Sequence, residues 1–164
     1  MNQEFLTKKS PGILAMYWSV LIFLAVMLVG VPIWSQDDMS SMEITVFRAA
    51  FSIITIFFMV VLYRIYHMHY AVKNGEIIIH GAFNKNVVKI SDIDEIKRSP
   101  VRMGIRLWGG SFVGGRYYLP GIGKAWVAIT NFEDGVLLTT RDKEHYLITP
   151  QNPDQFIEII NKSK

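Results

Sequence analysis

The sequence predicts a two-helix transmembrane hairpin followed by a mainly-β barrel or sandwich, capped by a C-terminal α-helix. Three observations predict it. Two long apolar runs, Ile13 to Trp34 and Val46 to Tyr63, lie close together near the N-terminus. A short acidic loop separates them. Beyond Tyr66 the pattern changes to short β-rich runs punctuated by Asn, Gly and Pro, ending in an amphipathic stripe. A chain of 164 residues leaves room for one modest soluble domain beside such a hairpin. The expected organisation is an N-terminal segment over residues 1–12, helices over 13–34 and 44–66 joined by an external loop at 35–43, and a soluble domain over 67–164.

A bilayer core about 30 Å thick needs about 20 apolar residues at 1.5 Å of rise each. The run from Ile13 to Trp34 meets this with no charged residue. Tyr17, Trp18 and Trp34 lie near its ends, where amphipathic rings prefer the headgroup level. Its length and the absence of a small-x-small site after it argue for a retained helix rather than a cleaved signal. The second run is bounded by Arg48 and Arg64 and spans a membrane if both arginines reach to the interfaces. Arg48 either does so or meets a partner helix. Lys8 and Lys9 precede the first helix, Arg64 and Lys73 follow the second, and the loop carries Asp37, Asp38 and Glu43 with no cation. The positive-inside rule then places both termini and the soluble domain in the cytoplasm of a multi-pass membrane protein.

In the soluble part, Tyr70-Ala71-Val72 and Ile77-Ile78-Ile79 flank Asn74-Gly75, a strong hairpin signal because a type I′ turn needs positive φ at both central residues. Residues 86–90 read as a strand. Residues 91–97 read as a helical turn or a run-up to a strand, with Ile93 and Ile96 facing the core. Residues 125–130 are β-rich, and residues 136–140 pair with 145–149 as a second hairpin. Asn152 caps a final helix, Pro153 suits its first position, Gln155 completes a capping-box-like pattern, and Phe156, Ile159 and Ile160 form one apolar stripe. Pro100 to Lys124 holds seven glycines among Trp108, Phe112, Tyr117 and Tyr118. It predicts a strand, a long ordered loop and a second strand, with Trp108 and Phe112 read as core side chains before an exposed hot spot.

The residues Gly104-Ile105-Arg106-Leu107-Trp108-Gly109-Gly110, Gly114, Tyr117 and Gly121-Ile122-Gly123-Lys124-Ala125 resemble the glycine-rich centre of bacterial pleckstrin-homology-like (PH-like) domains. The tail is similar too, through Val136-Leu137, Tyr146-Leu147-Ile148-Thr149-Pro150, Pro153 and Phe156. The resemblance covers most of residues 70–162. It implies a bent barrel or sandwich of about seven strands with a C-terminal helix. It implies no ligand, because no phosphate-clamping motif matches residue by residue and a fold does not fix a function.

The sequence holds few residues spaced for catalytic or metal chemistry. There is no cysteine, which excludes disulfides and thiolate metal sites. His67 and His69 are two apart and fall on different faces of a helix, unlike a helical zinc site; His80 and His145 read as strand-surface residues. Asp92, Asp94 and Glu95, and Glu133 and Asp134, sit on turns with no cleft to share. No Walker, Rossmann or nucleophile-elbow pattern occurs. We expect no catalytic residue, no metal and no cofactor. The net charge of +3 is too small to suggest nucleic acid.

The sequence therefore predicts a non-enzymatic membrane protein whose bilayer-tethered domain is an interaction module. Its partner would be a membrane protein or a second copy, met through a barrel edge or the glycine-rich segment, with Trp108, Phe112 and Tyr117 as candidate contacts. The alternative is sensing of anionic headgroups at the inner leaflet. Residues 97–124 contain no acid, and Arg98, Arg102, Arg106, Arg116 and Lys124 would each contribute about 1 kcal/mol near such a surface.

Overall fold

The computed structural model describes residues 2–35, 39–102, 104–111 and 114–164. The chain divides into two compact units, one of Pro11–Tyr63 and one of Met1–Ser10 with Arg64–Lys164.

The first unit is built on α1 (Pro11–Trp34) and α2 (Ser41–Tyr66). Pro11 opens α1, where its missing N–H costs nothing. Ser40 and Glu43 make a capping box before α2. The Glu43 N–H donates to Ser40 Oγ at 3.3 Å, and the Ser40 N–H donates back to the Glu43 carboxylate at 2.8 Å. Tyr17 and Phe58 pack α1 on α2 with ring centroids 6.3 Å apart. Both helices are long and apolar enough to cross a membrane. A core helix of a soluble protein would be mostly buried, yet only 6% of the most apolar window of α2 is. Arg48 is exposed on α2 and makes no ion pair to a described residue. The loop acids Asp37 and Asp38 lie outside the described residues.

The second unit holds two sheets. The first has the order β1 (Asn2–Leu6), β2 (His69–Lys73), β3 (Glu76–His80) and β4 (Lys85–Lys89), each antiparallel to the next. The β2–β3 turn forms as its sequence predicts, with φ of 52° at Asn74 and 78° at Gly75. The second sheet contains β5 (Ile93–Pro100), β6 (Ile105–Ser111), β7 (Gly114–Leu119), β8 (Gly123–Ala128), β9 (Asp134–Thr140) and β10 (His145–Ile148). Its order is β5-β9-β10-β8-β7-β6, antiparallel throughout except for a parallel β10–β8 pair. A 3-10 turn at Ile90–Asp92 leads into β5. The helix α3 (Pro153–Ser163) contacts β5 and β9. Asn152 caps it, its side chain accepting from the Gln155 N–H at 3.3 Å, and Phe156 and Ile160 are fully buried.

The predicted fold class holds, with ten described strands where the resemblance implied about seven. β1, in the N-terminal segment, lies outside the region of the resemblance and adds a strand. In the glycine-rich region the two expected strands form, and five of its seven glycines sit within β6, β7 and β8. β6 and β7 pair directly as an antiparallel hairpin in place of the expected long loop. Gly104 shows why: a Cβ there would collide with the carbonyl oxygen of Tyr118, so only glycine lets the chain enter β6 this close to β7.

The N-terminal ten residues join the two sheets. Phe5 is buried and meets Phe156 edge-on at 5.0 Å; Phe156 in turn meets Tyr70 at 6.4 Å. The Lys8 N–H donates to the Thr149 carbonyl at 2.9 Å, and Thr130 Oγ1 donates to the Lys8 carbonyl at 2.8 Å. The fully buried Tyr70 hydroxyl donates to the Ala128 carbonyl at 2.6 Å and accepts from the Thr149 N–H at 3.1 Å. Burial pushes its pKa up to about 12, so it stays a donor.

Candidate functional site

The six-stranded sheet is buried on both faces at β9, where Val136, Leu137 and Leu138 are all inaccessible. One face carries Leu119, Ala125, Val127, Leu137 and Leu147, which form a core cluster with Val101 and Ile129. This core is incompletely filled toward β6. A cavity of about 190 Å³ opens there, lined by Val101, Leu119, Val127, Ile129 and Phe132. Tyr117, Gly104, Arg102 and Arg106 complete the lining. Directly opposed residues share a face, and the register Arg106–Tyr117–Ala125 puts Arg106 on the cavity side. Partial burial raises the Tyr117 hydroxyl pKa, and the Arg106 charge opposes that shift.

The opposite face of β6, β7 and β8 carries two cross-strand rows. One is Ile105, Tyr118 and Lys124; the other is Trp108, Arg116 and Trp126. The Arg116 guanidinium lies over the Trp126 ring at 5.5 Å from its centroid. Ile105 and Trp108 are 73% and 77% exposed, and Leu107 is exposed too. The core reading of Trp108 is thus overturned, for a local reason. Simple alternation would put Trp108 on the cavity face with Arg106. The register shifts between Arg106 and Trp108, and that extra residue turns the indole outward.

The five cations expected to act together stand in three places. Arg102 and Arg106 line the cavity, and Arg116 and Lys124 are on the outer face of β7 and β8. Arg98 lies on β5, the opposite edge strand, where its Nε pairs with Asp154 at 2.9 Å. Of the three expected partner contacts, Trp108 is on the outer face, Tyr117 is on the cavity face, and Phe112 lies outside the described residues. Sequence reasoning misses the cavity, because its lining is drawn from residues spread between Val101 and Phe132 that only the folded sheet brings together.

The histidines and acids are dispersed. His69 is on β2 rather than on the helix, because α2 ends at Tyr66. It stacks on His80 across the strand pair at 4.3 Å. His145 shares a hydrogen bond with Thr139 Oγ1 at 3.2 Å. Among the described residues, no group of three or more His, Asp or Glu side chains could hold a metal ion.

A family model, described as bacterial PH domain, matches residues 68–164. No curated protein and no solved structure matches the chain.

Proposed function

The chain belongs to the bacterial PH domain family, and from that premise we propose that it is a two-pass membrane protein whose PH domain is a non-catalytic docking module, binding a protein partner along β6. The observation that carries this reading is the character of that edge. Exposed edge strands are normally blunted by charge, Pro or brevity. The edge strand β4 has Lys85 and Lys89 at its ends, and β5 carries Asp94, Glu95, Lys97, Arg98 and Pro100. β6 presents Ile105, Leu107 and Trp108 instead, and β7 is its single neighbour among the described residues. An edge strand with exposed apolar side chains and a central exposed Trp has the features of a strand-addition surface with a hot spot. PH domains are typically interaction modules without catalysis, which fits.

The pairing of β1 with β2 supports this location. These strands flank α1 and α2, so if both helices cross a bilayer, the N-terminus and the PH domain emerge on the same side. Lys8, Lys9, Arg64 and Lys73 favour the cytoplasmic side. Because the chain has no cysteine, single cysteines at Ser40 and Ser163 can report their sides through an impermeant maleimide. Docking is tested with a photocrosslinking amino acid at Trp108 in native membranes. A discrete protein adduct, lost on Leu107→Pro, is expected; an adduct of this chain with itself would identify the partner as a second copy. Crosslinks to lipid alone would refute docking and favour the headgroup reading through Arg116 and Lys124.

A further inference from the structure

We propose that the cavity beside β6 is a binding site for a small single-chain carboxylate, its tail inside and its head on Arg102 and Arg106. The volume of the cavity sets the size of its guest. A dry apolar cavity of about 150 Å³ accepts a benzene-sized guest. This one is about 190 Å³, room for a chain of about six to eight carbons. Its wall is aliphatic on the sheet side, through Leu119, Val127 and Ile129, with each of these side chains nearly inaccessible to bulk solvent. Phe132 is half-exposed at the boundary, a position from which a ring can cover a bound chain.

Charge decides what sort of head the guest carries. Among the described residues of the lining, the charged ones are Arg102 and Arg106. Arg102 is exposed and makes no ion pair to a described acid. A guanidinium fork matches a carboxylate in geometry and binds it through paired, charge-assisted hydrogen bonds. An apolar pocket with cations at one side therefore favours an amphiphilic anion over a neutral hydrocarbon. The small volume favours one chain over the two of a bilayer phospholipid.

The test uses the full chain in nanodiscs of zwitterionic lipid, photolabelled with an octanoic acid that carries a diazirine near its tail, followed by peptide mapping. Saturable labelling of peptides containing Leu119, Val127 or Phe132 is expected. Octanoate should displace the label about tenfold better than octan-1-ol, as a charged hydrogen bond predicts. Arg102→Gln, an exposed loop substitution that spares the core, should weaken labelling by a similar factor. Label confined to α1 and α2 would mean simple partition into the bilayer and would overturn the proposal. Equal displacement by octan-1-ol would overturn it as well, since the head would then play no part.

Discussion

Replacing Phe5 by Ala tests whether the N-terminal strand is part of the PH domain. Phe5 is 7% exposed, and its ring meets the fully buried Phe156 edge-on at 5.0 Å. Truncating a buried Phe costs about 3–5 kcal/mol, of which the ring–ring contact supplies about 0.5–1.5. β1 is an edge strand and can relax inward, so the low end, about 3 kcal/mol, applies. That is a large share of an ordinary domain stability of about 5–15 kcal/mol. In a domain of about 100 residues it lowers Tm by about 12–24 °C. Leu6 supplies the internal control. It is 64% exposed on the other face of the same strand, and Leu6→Ala should change stability by less than about 0.5 kcal/mol. The assay is thermal unfolding of the full chain in nanodiscs, with amide exchange of Tyr70 and Val72 reporting on β2. If Phe5→Ala and Leu6→Ala melt together near the parent temperature, the reasoning fails: β1 would not be packed as described.

Three other perturbations probe separate interactions. Tyr70→Phe leaves the Ala128 carbonyl and the Thr149 N–H without their shared hydroxyl, and should cost about 2 kcal/mol in chemical denaturation; a loss under about 0.5 kcal/mol would contradict the hydrogen bonds assigned to that group. His80 should make stability fall with acidification. Its pKa is lowered from 6.5 by desolvation first, then by His69 and Lys85, so the unfolded chain takes up the proton first as pH falls below 6.5. His80→Gln should flatten the denaturation midpoint between about pH 8 and pH 5, and an unchanged pH slope would exclude the assignment. Gly75→Val forces a β-branched residue into a φ of 78° and should cost about 1–2 kcal/mol, measured by the same denaturation.

What the sequence disclosed, and what it withheld, follows from the range of the interactions. The Asn74-Gly75 turn, the Asn152 cap and the apolar stripe of α3 depend on neighbours a few residues away, so composition and spacing suffice to read them. The parallel pairing of β8 with β10 depends on β9 lying beside β5, which no local pattern encodes. β1 is five residues long and finds its partner beyond both helices. Trp108 shows a third limit. Its exposure turns on one register shift, and a bulge leaves no mark in a glycine-rich sequence where alternation is already weak. For the site, residue types were legible but their grouping was not. Arg102 and Arg106 share a cavity, whereas Arg98, equally basic and close in sequence, is held by Asp154 on the other edge of the sheet.

The pairing of β1 with β2 also sets an order of events during synthesis. β1 leaves the ribosome first, yet its partner does not exist until both apolar helices have been made. If both helices are membrane spans, as proposed, the first strand has to wait while the intervening chain enters the bilayer. If only one of the two helices enters a bilayer, β1 is separated from β2 by the membrane, and the sheet is left a strand short with Tyr70 and Phe156 poorly covered. On the proposed topology, domain completion would then double as a check on insertion: a chain with both passes made can close its own fold, whereas one with a single pass leaves apolar core exposed.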